Sequence, residues 1–352
     1  MRKLRLGVVG AGSWAVAAHL PALAARRDEV EFVAVCRPDD DALARVRDRF
    51  GFAIASTDYR DVVAAGLDIC VVASPSAFHH EHAVAALKSG AHVLCEKPMT
   101  IDPAQAWDLV DVAKGAGREL LISFGWNYSA LVSAARQLVD EHGIGRLEQM
   151  SIHMSSTTRE LLSNTGAYPD ADPDTVPEQA TWTDPAISGG GYGQAQLSHA
   201  LGLALHLVPE RVSAAYALTS APLGAPVELH DAVSLRFEGG GIGTLAGGSS
   251  HAGAGGDKHA LEVRAIGSEG QLHVDVEREI AWLYRPDGVD VRVPLERDSG
   301  RYPSSGPADA LVDVASGRTE RNRAPGELGA RTVEALDLVY RSSRSGRLEE
   351  RR

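Results

Sequence analysis

The sequence predicts an α/β chain in two parts. A doubly wound parallel sheet covered by helices comes first, and an α+β domain with a large, mostly antiparallel open sheet follows. Three observations carry this reading. Short apolar runs alternate with amphipathic stretches through the first third of the chain. A glycine-rich turn follows the first run. After about residue 125 the apolar residues recur at every second position in strands joined by tight turns. Strands buried on both faces read as continuous apolar runs, whereas strands with one wet face alternate.

Leu4–Val9 opens the parallel sheet, and Phe32–Val35, Ile69–Ala73, His92–Cys95 and Leu120–Phe124 are later runs of the same kind. Helix-like segments at Ser13–Arg27, Asp40–Phe50, His80–Ser89 and Pro103–Gly115 supply the crossovers. Gly51, Gly90 and Gly115 follow the helix ends, where left-handed caps are expected. Asp102-Pro103 has the form of an N-cap with proline at the first helical position. Ser129–Glu141 adds a helix and Leu147–Ser155 alternates like a strand. Ser163–Ser188, rich in Pro, Asp and Thr, reads as a loop of the length expected of a lid, a binding loop or a disordered stretch. Val212–Leu218, Ala232–Phe237, Ile242–Gly248, Ala260–Ile266, Leu272–Val276, Ile280–Tyr284 and Val289–Val293 predict an antiparallel sheet, with Val233, Leu235 and Phe237 on its buried face. Arg285–Pro307 reads as a surface loop and Gly326–Arg344 as an amphipathic closing helix. The expected domains are residues 1–124 and 125–352, with the closing helix at 326–345 returning towards the first.

A chain of 352 residues fits two domains, and 44% apolar with 23% charged residues fits an ordinary globular protein. Thirty-five Lys plus Arg against 47 Asp plus Glu gives a net charge of −12. Such a surface repels phosphate backbones and anionic lipid, so neither nucleic acid nor a membrane is expected as a partner. Cys36, Cys70 and Cys95 have no pairing or metal-ligand spacing and read as buried hydrophobes in a reducing cytoplasm. The apolar run behind the basic Met1–Arg5 is too short for a signal peptide. No carboxylate and cysteine pattern around His79, His80 and His82 completes a metal site, so no metal is expected, and His80 and His82 are assigned to the surface.

Gly10-Ala-Gly12-Ser-Trp-Ala15 gives G-x-G-x-x-A at the passage from the first strand to the first helix. Gly10 permits the tight turn, Gly12 lets backbone approach a pyrophosphate, and Ala15 allows close helix–strand packing. In this strand–turn–helix setting the motif predicts a dinucleotide-binding Rossmann domain, with the helix N-terminus facing the phosphates. Trp14 either packs over the cofactor or joins the helix core. The second strand ends in Cys36-Arg37-Pro-Asp39-Asp40-Asp41. Arg37 suits a 2′-phosphate and an acidic side chain suits the ribose hydroxyls, so the cofactor is expected to be NAD(P), with NADP favoured over NAD.

The fifth apolar run ends in Glu96-Lys97-Pro98. Lysine at the C-terminal end of a buried parallel strand stands where doubly wound sheets bind ligands, and desolvation there readies it for proton transfer. Together with Gly10-x-Gly12 and Ser74-Pro75-x-x-x-His79, this motif resembles the Gfo/Idh/MocA oxidoreductases, and the resemblance runs over nearly the whole chain. Gly143-x-Gly145-Arg146 is similar to the family's entry into its second domain, Gly189–Gly191 through His199 to its substrate segment, and Gly326-Glu-x-Gly329 through Gly346 to its closing helix. The resemblance implies hydride transfer between nicotinamide and a sugar or polyol carbon, with Lys97 as proton donor or acceptor and His199 orienting or relaying. It also implies that Ser13, Ser74, Pro75, His79 and Glu96 line the cofactor site.

Trp126 and Asn127 follow the last parallel strand, with Asn127 expected on the cofactor. Trp126, Trp182, Tyr192 and Gln196 are the substrate candidates; the aromatics among them either stack on a sugar or pack the core. The family often has an Asp four residues before the histidine and an acid three after it, whereas this chain has Ala195 and Gly202. Without those carboxylates His199 is expected to be less basic. Two other readings stay open: a relative that oxidises transiently to cleave or eliminate a glycosidic bond, and a dinucleotide-binding regulator without turnover. A homodimer or homotetramer is expected, paired through the open face of the second sheet.

Overall fold

The computed structural model describes residues 2–166, 179–251 and 259–351. The middle of the long loop expected at Ser163–Ser188 therefore lies outside the described residues. Its end carries two short helices, Ala180–Thr183 and Pro185–Ser188. Two compact units make up the chain, one mainly of Met1–Gly125 and Ser304–Ala330, the other of Trp126–Pro169, Trp182–Pro303 and Arg331–Arg352.

In the first unit, β1 (Leu4–Val9), β2 (Val30–Cys36), β3 (Ile54–Ser56), β4 (Ile69–Val72), β5 (His92–Cys95) and β6 (Leu120–Ile122) form a sheet in the order β3-β2-β1-β4-β5-β6. Every pairing is parallel. The order reverses between β1 and β4, so ligands are expected beyond the C-terminal ends of these strands. All four residues of β4 are buried, which is why this strand reads as an unbroken apolar run.

Crossover helices obey their caps. Asp39 accepts the Ala42 N–H at the start of Asp40–Phe50, and Gly51 closes that helix in the left-handed region at φ 68°. Asp102 accepts from Ala104 and Gln105 at the start of Pro103–Ala116. That helix runs through Gly115 and ends on Gly117 at φ 60°, a correction of two residues. Gly115 is exposed inside the helix, so nothing local stops propagation there. A further helix, Gly306–Ala315, falls where a loop was expected to run to Pro307; that proline opens the helix instead of ending a loop.

The second unit holds β7 (Leu147–Ser156), β8 (Val212–Ser220), β9 (His230–Phe237), β10 (Ile242–Ser249), β11 (Ala260–Gly267), β12 (Gly270–Asp275), β13 (Ile280–Tyr284), β14 (Val291–Arg292) and β15 (Glu349–Glu350). Their order is β14-β13-β12-β11-β7-β10-β9-β8-β15. Pairing is antiparallel except between β7 and β10, which run parallel in the middle of the sheet. Val233, Leu235 and Phe237 are buried, while Ala232, Ser234 and Arg236 between them are exposed. Helices Ala130–His142 and Ser198–Leu207 pack on each other and on strands β13 and β7 respectively. The closing helix spans Gly326–Ser345. Among the described residues no helix is long and apolar enough to cross a membrane.

Candidate active site

In the first unit the glycine turn is tied to the end of β2. The carbonyl of Cys36 accepts from the N–H groups of Gly10 and Ala11 at 3.0 and 3.2 Å, and the Arg37 guanidinium returns a bond to the Ala11 carbonyl at 2.9 Å. The two glycines are glycine for different reasons. Gly10 has φ +89°, and a Cβ there would meet the Ser74 nitrogen at 2.2 Å, so turn geometry and close crossing both demand it. A Cβ on Gly12 would meet no protein atom within 4 Å, and its φ is not positive. Protein packing does not require that glycine. The requirement it does meet is a backbone open to a ligand, so the turn fits a dinucleotide's pyrophosphate. Helical residues begin at Ser13, Trp14 is more than one-third exposed, and a π-turn occupies Ala15–His19.

Lys97 follows β5 and is half-buried; its peptide to Pro98 is cis. Burial pulls its ammonium below the ordinary lysine value, against the opposing charge of Glu96. Glu96 is itself buried, and burial raises its carboxyl. The bond from His19 Nε2 at 2.7 Å, that residue's charge and Lys97 outweigh this and hold the carboxyl below its usual value. The other Glu96 oxygen accepts the Lys97 backbone N–H at 3.0 Å. His79 is almost wholly buried, with Nδ1 2.9 Å from the Pro98 carbonyl and Nε2 2.6 Å from that of Ser74. It therefore clamps the turn after β4 to the turn after β5, and burial lowers its pKa.

His82, expected at the surface, is half-buried. Its Nδ1 pairs with Ser74 Oγ at 2.8 Å, and its ring lies against Tyr59 and Phe78 at 4.5 and 6.2 Å. An aromatic pocket and one polar partner draw it in. His80 is also only half-buried and pairs with Asp108 at 2.7 Å.

In the second unit His199 lies on the helix Ser198–Leu207, entered through a π-turn at Gly193–Leu197. Ser198 N–H bonds back to the Gly193 carbonyl across that turn. Ala195 and Gln196 thus sit in a widened turn, buried like His199 itself. Trp126 lies at the centre of an aromatic group, edge-on to His199 at 5.3 Å, Tyr302 at 4.7 Å and His259 at 5.6 Å. Tyr302 and His259 carry no sequence signal; one falls in a stretch read as surface loop and neither belongs to a motif. Asn127 is buried and donates to the Gly202 carbonyl at 3.4 Å, tying the segment after β6 to the His199 helix. Tyr192 is enclosed, 0% exposed, with its hydroxyl on the Met154 carbonyl and Ser156 Oγ, so its surroundings satisfy the packing reading. Trp182 is half-buried.

Glu262, His273 and Asp275 also come together on the second sheet. Arg264 and His273 bond Glu262, and Arg278 bonds Asp275, so the group is an ion-pair network.

Residues 4–124 match a family described as an oxidoreductase family with an NAD-binding Rossmann fold, and residues 132–273 match the GFO/IDH/MocA C-terminal domain. The chain belongs to the GFO/IDH/MocA oxidoreductase family. Among its relatives, D-glucoside 3-dehydrogenase of Escherichia coli (strain K12) is 30% identical over 189 residues, 53% of this chain and 49% of that one. The chain thus matches that relative over about half its length. The dTDP-3,4-didehydro-2,6-dideoxy-alpha-D-glucose 3-reductase of Streptomyces violaceoruber is 26% identical over 97% of this chain and 96% of its own. A levoglucosan dehydrogenase solved with NADH and levoglucosan shares the fold with a TM-score of 0.78 over 99% of each chain, at 19% identity. Within this family the first unit is the nicotinamide-cofactor domain.

Proposed function

We propose that this GFO/IDH/MocA protein is an NAD(P)-dependent oxidoreductase. On this reading it transfers a hydride between nicotinamide and a hydroxyl- or ketone-bearing carbon of a sugar, sugar derivative or cyclitol. The observation that carries the reading is Lys97: half-buried, lowered in pKa, and at the same C-terminal sheet edge as the Gly10-x-Gly12 turn. A lysine whose ammonium is destabilised by burial releases and retakes a proton more readily than an exposed one. Lys97 exchanges the proton of the reacting hydroxyl. His199, with no carboxylate at position 195, orients the substrate oxygen or relays. Trp126, Trp182 and Gln196 contribute to holding the substrate. A nicotinamide held by the Gly10-x-Gly12 turn would supply the carbon that takes or gives the hydride. Relatives named for glucosides, levoglucosan and inositol support the carbohydrate class.

NADP is the favoured cofactor. Arg37 stands at the end of β2, and Asp39, the first acidic residue after it, is engaged as a helix cap on Ala42. Three buried free cysteines are in keeping with a cytoplasmic protein. The outer face of the second sheet exposes Tyr216, Leu218, Ile242 and Ile266, which supports pairing of copies as a homodimer or homotetramer.

The test is a panel of sugars, glycosides and cyclitols with NAD or NADP, following both nicotinamide absorbance and product. Net absorbance change on a carbohydrate supports the proposal. Product without absorbance change marks transient oxidation, and cofactor binding with neither marks a regulator.

A further inference from the structure

We propose that His19 is a positioning residue for Lys97, acting through Glu96; this rests on the role of Lys97 given above. His19 is 0% exposed and lies 77 residues from Glu96 in sequence. It closes the π-turn Ala15–His19, an insertion into the helix that leaves the glycine turn, and such insertions recur at functional sites. From there Nε2 reaches Glu96 Oε1 at 2.7 Å, and Glu96 Oε2 takes the Lys97 N–H at 3.0 Å. One continuous chain of contacts therefore joins the cofactor-turn helix, the buried carboxylate and the lysine.

Stability alone is a poor reason for this arrangement. Burying an acid and an imidazole costs desolvation free energy, and a well-packed apolar pair of similar volume is often neutral or stabilising by comparison. The bond does something an apolar pair cannot. It helps hold the Glu96 carboxyl below its usual value and fixes which oxygen faces the Lys97 peptide. The charge of Glu96 acts on Lys97 and raises the lysine's pKa against the pull of burial. His79 and Cys95 also feel the Glu96 charge. Loss of His19 frees the Glu96 carboxylate to turn away from the Lys97 peptide, which weakens its field on Lys97.

The experiment labels lysine amines of the full chain competitively across pH and reads the Lys97 peptide by mass spectrometry, so no turnover is needed. His19→Leu and Glu96→Gln should each move the Lys97 midpoint down by about one unit or more. His19→Gln, whose amide can donate to the same oxygen, should restore it to within a few tenths, on the order of the wild-type value. With a sugar substrate in hand, the lysine limb of the kcat profile should move in parallel while KM stays put. A folded His19→Leu protein with an unmoved Lys97 midpoint overturns the proposal, as does an unmoved midpoint in Glu96→Gln. If His19→Leu does not fold, Glu96→Gln and His19→Gln decide by the same criteria. A shifted midpoint in a protein that turns over no carbohydrate upholds the His19 link and removes the sugar-oxidoreductase reading instead.

Discussion

Gly10 and Gly12 look alike in the motif and differ in the structure, which makes them separable by mutation. Gly10→Ala puts a Cβ about 2 Å from backbone in a left-handed residue, so unfolding temperature should fall along with binding. Gly12→Val has room for its side chain and should leave stability nearly unchanged while weakening NAD and NADP alike. Calorimetric titration beside a thermal melt checks both. Equal stability losses would mean that Gly12 is a packing residue after all. Arg37→Ala should weaken NADP and scarcely affect NAD; equal losses would remove the 2′-phosphate assignment. The reading of His199 is reached only through the family resemblance, whereas Gly10, Gly12, Arg37 and Lys97 are legible in sequence because their readings rest on local spacing and strand ends. His19, His82, Tyr302 and His259 are not, because each gains its meaning from a partner that only the fold brings near.

At the scale of elements, the parallel strands are legible because continuous burial writes continuous apolar runs, and β9 is legible because Val233, Leu235 and Phe237 alternate with exposed residues. The three-residue β3 is too short to show a period. The parallel union of β7 with β10 leaves no trace in either strand, since alternation records which face is wet and not which neighbour is paired. Strand β9 also holds an exception. Asp231 is 4% exposed, and neither carboxylate oxygen has a hydrogen-bond partner among the described residues. Burial, then the charge of Glu228, pushes its carboxyl well above the usual range. The unfolded chain therefore loses this proton before the folded one, and the contribution to stability declines as pH rises above about 4. Asp231→Asn should be nearly neutral in acid and stabilise by roughly 1–3 kcal/mol at neutral pH. Unfolding curves across pH would show the gap open with rising pH; a gap that widens towards acid would mean the carboxylate is ionised and held.

For the molecule as a whole, the exposed apolar residues of the outer sheet face predict self-association. Light scattering at micromolar concentration should return a dimer or tetramer mass, and Ile242→Asp should lower it. A monomer mass for the wild type removes this proposal. The central proposal is that Lys97 carries the proton in a carbohydrate oxidation. Removing a positioned acid or base lowers rates by about 10²–10⁴-fold. The direct measurement is steady-state turnover of the best carbohydrate found in the cofactor-linked panel, run on wild type, Lys97→Ala and His199→Ala, with cofactor affinity measured on each. Lys97→Ala should lose kcat by that factor with cofactor affinity intact, and His199→Ala should lose less. Retention of most activity by Lys97→Ala would contradict the assignment.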